Sequence, residues 1–135
     1  RDLDWPIDIR ICRTTRDADG LALSSRNTFL SAAERAQGLG LSRALRHGCE
    51  RFAAGERRRS VLEAEMRDVL SLHPGLSVEY IAVVSSENLA PVVEADAASV
   101  VVVAARAGRT RCAAYSTRWP CASTSKAKRG ILVAT

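Results

Sequence analysis

The residues best suited to chemistry lie together in the nine-residue segment DGLALSSRN, at positions 19–27. Two adjacent hydroxyls, Ser24 and Ser25, precede the guanidinium of Arg26 and the amide of Asn27. Hydroxyls and successive backbone N–H groups can line a concave phosphate site. An arginine adds a permanent charge and a planar set of donors. Two interpretations stay open here, because short motifs of this kind also occur without a ligand: a phosphate-binding loop, or a turn that leads into a helix.

Other candidate side chains favour structural roles. His47 falls within a predicted helix and His73 at the end of another, too far apart in sequence to form a local catalytic pair. Asp17 and Asp19 are close enough to suggest a carboxylate pair, but Asp19 precedes Gly20, which is more simply a turn signal. The basic triplet at 57–59 predicts a solvated face, because no aromatic residues are interleaved with it.

The positive charge is confined to the end of the chain. The net charge of +5 combines residues 1–96, which carry 13 basic and all 15 acidic residues, with residues 97–135, which carry seven basic residues and no acidic one. The first part is therefore at −2 and the second at +7. A basic balance of this origin does not by itself indicate a nucleic-acid-binding domain, and we expect no nucleic-acid partner.

Cysteine usage and hydropathy favour a cytoplasmic protein without a membrane span. The four cysteines are Cys12, Cys49, Cys112 and Cys121. None of them lies at metal-ligand spacing from another cysteine or a histidine, so we expect no metal site. No apolar run approaches the roughly 20 residues of a membrane helix. No secretory signal is recognisable, which favours reduced thiols. The chain begins with Arg1 rather than Met, so we expect a piece of a longer protein.

Hydrophobic periodicity predicts two helices. Ser31 and Glu34 have capping-box spacing before a helix over residues 32–54. A second helix starts near Ser60, where Glu63 repeats the capping-box spacing, and ends before the His-Pro-Gly sequence at 73–75. The predicted apolar faces are Leu41, Leu45, Cys49 and Phe52 in the first helix and Leu62, Met66, Val69 and Leu70 in the second.

Three segments are predicted as strands. Alternation at residues 7–11 predicts a half-buried strand, and β-branched runs at 77–84 and 99–105 predict two more. We therefore predict an α+β fold, with two helices packed on a small, mostly antiparallel sheet. Residues 112–135 show no regular period, and their composition predicts a basic tail of low order. This gives a domain over 1–111 and a tail over 112–135.

The segment RDLDWPIDIRICRTTRDADGLALSSRNTFLSAAER resembles the C-terminal part of the pantothenate synthetase (pantoate–β-alanine ligase) family. The run DGLALSSRN matches the family pattern without a break. The resemblance continues through the strand VEYIAVV and through VVVVAARAGRTR at 100–111, and it covers about residues 1–111.

The resemblance implies an adenylate-forming enzyme of the nucleotidyltransferase-like class. In this family ATP, accompanied by Mg²⁺, activates pantoate as pantoyl adenylate, and β-alanine then displaces AMP to give pantothenate. The phosphate-binding residues it implies are Leu23, Ser24, Ser25 and Arg26, with Arg26 catalytic, and Thr15 is implied as a main-chain contact to adenine. It also implies a cytoplasmic homodimer for the intact enzyme, with no protein metal ligand in this part.

Three departures from the family pattern stand out. Arg13 replaces a proline on the adenine side of the site. The family's N-terminal nucleotide-binding domain, with its H-x-G-H signature, is absent from this sequence, so we expect the isolated chain to be inactive. The match stops after Arg111, where Cys112 stands in place of the start of L-I-D-N, and a shifted reading frame or a fusion junction is our hypothesis for that change.

Two alternatives to a ligase remain open on the sequence. One is a non-catalytic binding module whose basic tail, 112–135, contacts RNA or an acidic partner. The other is a non-functional remnant that does not fold cooperatively.

Overall fold

A computed structural model describes residues 15–117 of the chain. A 3₁₀ helix (Ser25–Phe29) comes first and is followed by two α-helices and three strands; these are α1 (Ala32–Ala53), α2 (Arg59–Ser71), β1 (Leu76–Ser85), β2 (Ser99–Ala107) and β3 (Thr110–Thr117). The predicted strand at 7–11 lies outside the described residues. The 3₁₀ helix replaces what the sequence predicts as an irregular loop.

Helix α1 begins and packs as its sequence predicts. The Ser31 hydroxyl accepts the backbone N–H of Glu34, and the Glu34 carboxylate accepts the backbone N–H of Ser31, which completes the capping box. The four residues of the predicted apolar face are all buried in the core; they are Leu41, Leu45, Cys49 and Phe52. Their spacing therefore positions α1 on the sheet.

Helix α2 follows the predicted apolar pattern but not the predicted cap. Leu62, Met66 and Leu70 are almost completely buried. The capping box expected at Ser60 is wrong, because the helix starts one residue earlier and Arg58 is an N-cap without a side-chain hydrogen bond. Glu63 instead accepts the backbone N–H of Val83 at 2.9 Å. A tertiary contact to strand β1 has therefore replaced the local one.

The three strands form one antiparallel sheet in the order β1-β2-β3. Val83 of β1 pairs with Val101 of β2, and Val103 of β2 pairs with Ala114 of β3. Both helices contribute to the hydrophobic core against this sheet, where Val83 and Val103 are fully buried. The predicted α+β fold, with two helices on a small antiparallel sheet, is confirmed.

Strand β3 corrects the expected boundary at Arg111. The expectation that a tail of low order begins at residue 112 is wrong for residues 112–117, because β3 pairs with β2 as far as Thr117 opposite Val100. The strand is held by backbone hydrogen bonds to a buried neighbour, a relationship that the residue types in 112–117 do not reveal. The remainder of the expected tail, 118–135, lies outside the described residues.

Gly38 and Gly40 lie within α1, and the approach of a neighbouring side chain requires glycine only at Gly40. Each weakens an isolated helix by about 1 kcal/mol relative to alanine. At Gly40, a Cβ atom would lie 2.6 Å from Cδ2 of the buried His73 ring, so glycine allows the end of α2 to approach α1. At Gly38, the nearest atom to a Cβ would be Cδ1 of Leu21, at 3.5 Å.

The three arginines of the basic triplet at 57–59 make contacts within and next to the connection between α1 and α2. The Arg57 guanidinium lies 3.8 Å from the centre of the Phe52 ring, a cation–π contact. Arg58 pairs with Glu56 at 2.8 Å, and Arg59 lies 3.9 Å from Glu63. Each side chain therefore has a contact within the domain.

Glu56 makes the stability of this connection depend on pH. Hydrogen bonds from the side chain and backbone of Arg58 lower the Glu56 pKa from 4.5 to about 2. Between these two values the unfolded chain binds more protons than the folded one, so stability increases with pH in that window and is lost as pH falls towards 2. We expect Glu56→Gln to reduce this dependence, measured as the free energy of urea unfolding between pH 2 and 5. Glu50→Gln, at an exposed position without an ion pair among the described residues, is the control. An unchanged slope for Glu56→Gln would contradict the assignment.

Candidate functional site

The segment before α1 starts with a tight turn. The backbone N–H of Gly20 donates to the carbonyl of Asp17, and the N–H of Asp17 donates to the carbonyl of Leu21. Gly20 has a φ of +93°, which a glycine adopts without strain. Asp19 accepts the N–H of Leu21 through its side chain, as aspartates in turns commonly do. The turn interpretation of Asp19-Gly20 is confirmed.

Arg35 of α1 ties this turn to the helix. Its Nε lies 2.7 Å from Asp19 and its Nη2 lies 2.5 Å from Asp17. The hydrogen bond from Arg35 lowers the pKa of Asp19, and the two carboxylates together raise the pKa of Arg35. The two aspartates therefore serve as an anchor for the segment, rather than as an acid–base pair.

Three further contacts fix the backbone on either side of the hydroxyls. Leu21 is buried and packs over Gly38 of α1. The backbone N–H of Leu23 donates to the carbonyl of Thr15 at 2.9 Å, and the side chain of Asn27 donates to the carbonyl of Ala22, also at 2.9 Å. The segment that contains the predicted site is therefore held by specific bonds.

The hydroxyls and Arg26 follow at the start of the 3₁₀ helix. Ser24 is its N-cap, and its side-chain oxygen accepts the backbone N–H of Arg26 at 3.2 Å. Ser25 and Arg26 are exposed. The apolar side chains around them are also exposed, with Leu23 at 51% and Phe29 at 77% of full accessibility.

Arg26 borders an open cavity of about 650 Å³ between the 3₁₀ helix, the start of α1 and the β2–β3 turn. Its other lining residues are Phe29, Glu34, Arg109 and Thr110. Within residues 15–117, neither Arg26 nor Arg109 takes part in an ion pair, whereas Arg35, Arg51, Arg58 and Arg106 do. Among the described residues, the cavity is therefore lined by two arginines without an ion pair and by the acidic Glu34.

The N-terminus of α1 is occupied by a carboxylate of the chain itself. Helix N-termini attract negative charge. Here, however, the carboxylate of Glu34 already accepts from the N–H and the hydroxyl of Ser31, both at 2.8 Å. These hydrogen bonds lower the pKa of Glu34, so the position is occupied by the chain's own anion.

The structure brings the predicted site residues together in two groups. Thr15 meets Leu23 through the backbone, and Ser24 meets Arg26 at the helix cap. Arg26 alone of the predicted set lines the cavity. Arg109 and Thr110 belong to the same cavity and were not predicted as site residues; the sequence signal for them is the Gly-Arg-Thr turn at 108–110.

The remaining candidates have contacts outside this cavity. His47 Nε2 lies 3.3 Å from Glu65, which is also paired with Arg51 at 2.7 Å, and His73 packs against Gly40. Cys49 and Cys112 are unbridged, and burial is the main cause of the raised pKa of Cys112. Cys12 and Cys121 lie outside the described residues.

The described part of the chain shows neither a metal cluster nor a membrane helix. No group of three His, Cys, Asp or Glu side chains within residues 15–117 could hold a metal ion. Over the same residues, no helix combines the length and the apolar character needed to cross a bilayer.

Comparison with known proteins identifies the class to which this fold and loop belong. The family model described as Pantoate-beta-alanine ligase matches residues 1–113. The pantothenate synthetase of Acidobacterium capsulatum is 45% identical over 111 residues, which are 82% of this chain and 37% of that protein. The bifunctional pantoate ligase/cytidylate kinase of Gloeobacter violaceus is 48% identical over 103 residues, 76% of this chain and 20% of that protein.

A solved structure agrees with these relatives. The crystal structure of pantothenate synthetase from Thermus thermophilus superposes with a TM-score of 0.82 at 31% identity, covering 88% of this chain and 43% of that one. The chain belongs to the pantoate–β-alanine ligase family. It spans less than half the length of these relatives.

Proposed function

We propose that this chain supplies the phosphate-binding side of the ATP site in an enzyme that condenses pantoate with β-alanine. In the proposed reaction a pantoate carboxylate oxygen attacks the α-phosphorus of ATP, the bond from that phosphorus to the β-phosphate oxygen breaks, and pantoyl adenylate and pyrophosphate are formed. The amine of β-alanine then attacks the acyl carbon, and AMP departs. Family membership supports this chemistry, and the residues of this chain would act on the phosphates.

The observation that carries the proposal is the setting of Arg26. Arg26 lines a cavity and has no ion pair within the described residues, while the backbone around it is fixed by the Arg35–Asp19 anchor and by Leu21. Negative charge moves onto the leaving pyrophosphate as the adenylate forms. A preorganised cation beside that charge stabilises the transition state more than the ground state.

The neighbouring residues would bind and orient the phosphates. The Ser24 oxygen accepts a backbone N–H, which leaves its own hydrogen available to a phosphate oxygen, and the exposed Ser25 hydroxyl is a second donor. Leu23 directly precedes these hydroxyls in the sequence, and its backbone N–H donates to the carbonyl of Thr15. The Thr15 carbonyl already accepts from Leu23, so a main-chain contact to adenine would use its N–H or its second lone pair.

The proposal extends to the setting of the enzyme. Mg²⁺ would enter with ATP as part of the substrate, since residues 15–117 offer no cluster to hold it. ATP supply and the unbridged thiols of Cys49 and Cys112 favour the cytoplasm. We further propose that the opposite wall of the site lies on a domain beyond this chain, and that the intact enzyme is a homodimer without a nucleic-acid partner.

Phosphorus NMR of ATP in the presence of the 135-residue chain tests the proposed contact. We expect the lines of the β- and γ-phosphates to broaden when the chain is added, and to broaden less with Ser24→Ala/Ser25→Ala. Ser77→Ala, at an exposed position on β1, is the control and should behave as the wild type. Equal broadening by the double variant would contradict the role of these hydroxyls. In the same samples with pantoate and β-alanine, pantothenate formation at the rate of an intact enzyme would contradict the need for a further domain.

A further inference from the structure

We propose that Arg109, in the turn between β2 and β3, is a second polyphosphate-binding residue that faces the same ligand as Arg26. This inference rests on the proposed function, because it assigns the cavity lined by both arginines to the pyrophosphate end of ATP.

The β2–β3 turn places Arg109 at a defined position. Ala107 pairs with Thr110 across the two-residue turn formed by Gly108 and Arg109. Gly108 has a φ of +57°, and glycine at the first central position is typical of tight hairpins. Both flanking strands are paired, so the turn residue is fixed by the sheet.

Glu34 connects this turn to the start of α1. A side chain at Gly108 would overlap the Glu34 carboxylate, so the turn lies directly against it. The same carboxylate is held by two hydrogen bonds from Ser31, immediately after the segment that carries Arg26. The walls that present Arg26 and Arg109 are therefore joined through one capping box.

The charges of the cavity favour a polyanion. Among the described residues, two arginines and one glutamate line it, and within residues 15–117 neither arginine is neutralised by an ion pair. Like charges that share a cavity repel, and an anion that contacts both removes this repulsion. Arginine forks suit the paired oxygens of phosphate groups, and the Thr110 hydroxyl offers another donor.

The size of the cavity favours an extended ligand. A volume of about 650 Å³ is ample for linked phosphates. A pyrophosphate can present oxygens to both walls at once, whereas a single phosphate has fewer oxygens to share between them. We therefore expect pyrophosphate to bind more tightly than orthophosphate.

Calorimetric titration of the 135-residue chain with inorganic pyrophosphate at low ionic strength tests the assignment. We expect Arg109→Ala to weaken binding by about tenfold, as for loss of one charge-assisted contact. Arg109→Lys keeps the charge but loses the fork, so it should weaken binding by about threefold. Arg67→Ala, at an exposed position on α2 outside the cavity, should leave binding unchanged. Because Arg109 is itself exposed, its variants should have the same melting temperature as the wild type.

The outcomes separate this inference from the proposed function. Unchanged binding in Arg109→Ala, with weaker binding in Arg26→Ala, would overturn the role of Arg109 and leave the proposed function standing. Weaker binding in Arg109→Ala alone would support Arg109 and count against Arg26. A wild-type chain that binds neither pyrophosphate nor ATP would contradict both. Equal affinity for orthophosphate and pyrophosphate would contradict a ligand shared between two arginines.

Discussion

Arg26→Ala should slow adenylate formation by on the order of 10²-fold, the scale seen when one transition-state donor is removed. The test needs a complete active site, so we place it in a chimera in which this chain replaces the matching segment of the Acidobacterium capsulatum pantothenate synthetase. The measurement is the rate of pantoate-dependent pyrophosphate release from ATP. The effect is expected mainly on kcat, because the charge that Arg26 faces increases as pyrophosphate departs.

Two controls separate this effect from a loss of structure. Arg67→Ala removes an exposed guanidinium that does not line the cavity and should leave the rate unchanged. Arg26→Lys retains a charge without the planar fork and should recover part of the rate. An Arg26→Ala chimera that releases pyrophosphate as fast as the parent would remove Arg26 from the mechanism.

Gly108→Ala should lower the free energy of unfolding by about 3 kcal/mol, near the upper end of single-substitution effects. A left-handed backbone costs a residue with a Cβ about 1–2 kcal/mol, and at Gly108 the new atom also overlaps the Glu34 carboxylate. Displacing that carboxylate weakens the capping box of α1, which contributes about 1 kcal/mol more. The measurement is urea unfolding of the 135-residue chain.

Gly55→Ala provides a matched control for this prediction. Gly55 also has a positive φ, +102°, but a Cβ there would meet no atom within 4 Å. It should therefore show the backbone cost alone, about 1–2 kcal/mol. Equal losses for the two variants would contradict the close contact between Gly108 and Glu34. A Glu34→Ala background should recover part of the Gly108→Ala loss, because the overlapping group is gone.

The helices could be predicted because their apolar faces and the start of α1 depend mainly on local sequence. The apolar residues of α1, from Leu41 to Phe52, recur at helical spacing, and Ser31 with Glu34 forms a cap within one turn. Ser60 and Glu63 have the same spacing, but Glu63 bonds to Val83 of β1 instead. Capping-box spacing permits a cap, but a backbone N–H from a distant part of the chain can donate to the carboxylate instead.

Strand β3 shows a different limit of sequence reasoning. Its residues lack a clear alternation, yet its backbone pairs with β2 through Thr117. Pairing depends on the neighbouring strand being present and in register. The residue pattern within 110–117 does not indicate that such a partner strand exists. Of the strands in the sheet, the sequence therefore predicted only those with strong β-branched runs, at 77–84 and 99–105.

The candidate site could likewise be predicted only where it depends on local sequence. The segment at 19–27 is contiguous, so its turn, hydroxyls and arginine could be recognised together in the sequence. Its anchor to Arg35 and its cavity with Arg109 depend on contacts between separate elements. Residue types suggested a phosphate loop, and the fold adds a second arginine, Arg109, from a distant part of the sequence.

Pantothenate formation by the chimera is the measurement that tests the central claim most directly. Supplied with ATP, pantoate and β-alanine, a folded chimera should produce pantothenate and AMP in equal amounts, and Arg26→Ala should reduce that production by on the order of 10²-fold. A folded chimera that forms no pantothenate, or one whose Arg26→Ala variant forms it at the parent rate, would contradict the claim that this chain forms the phosphate-binding wall of the ligase.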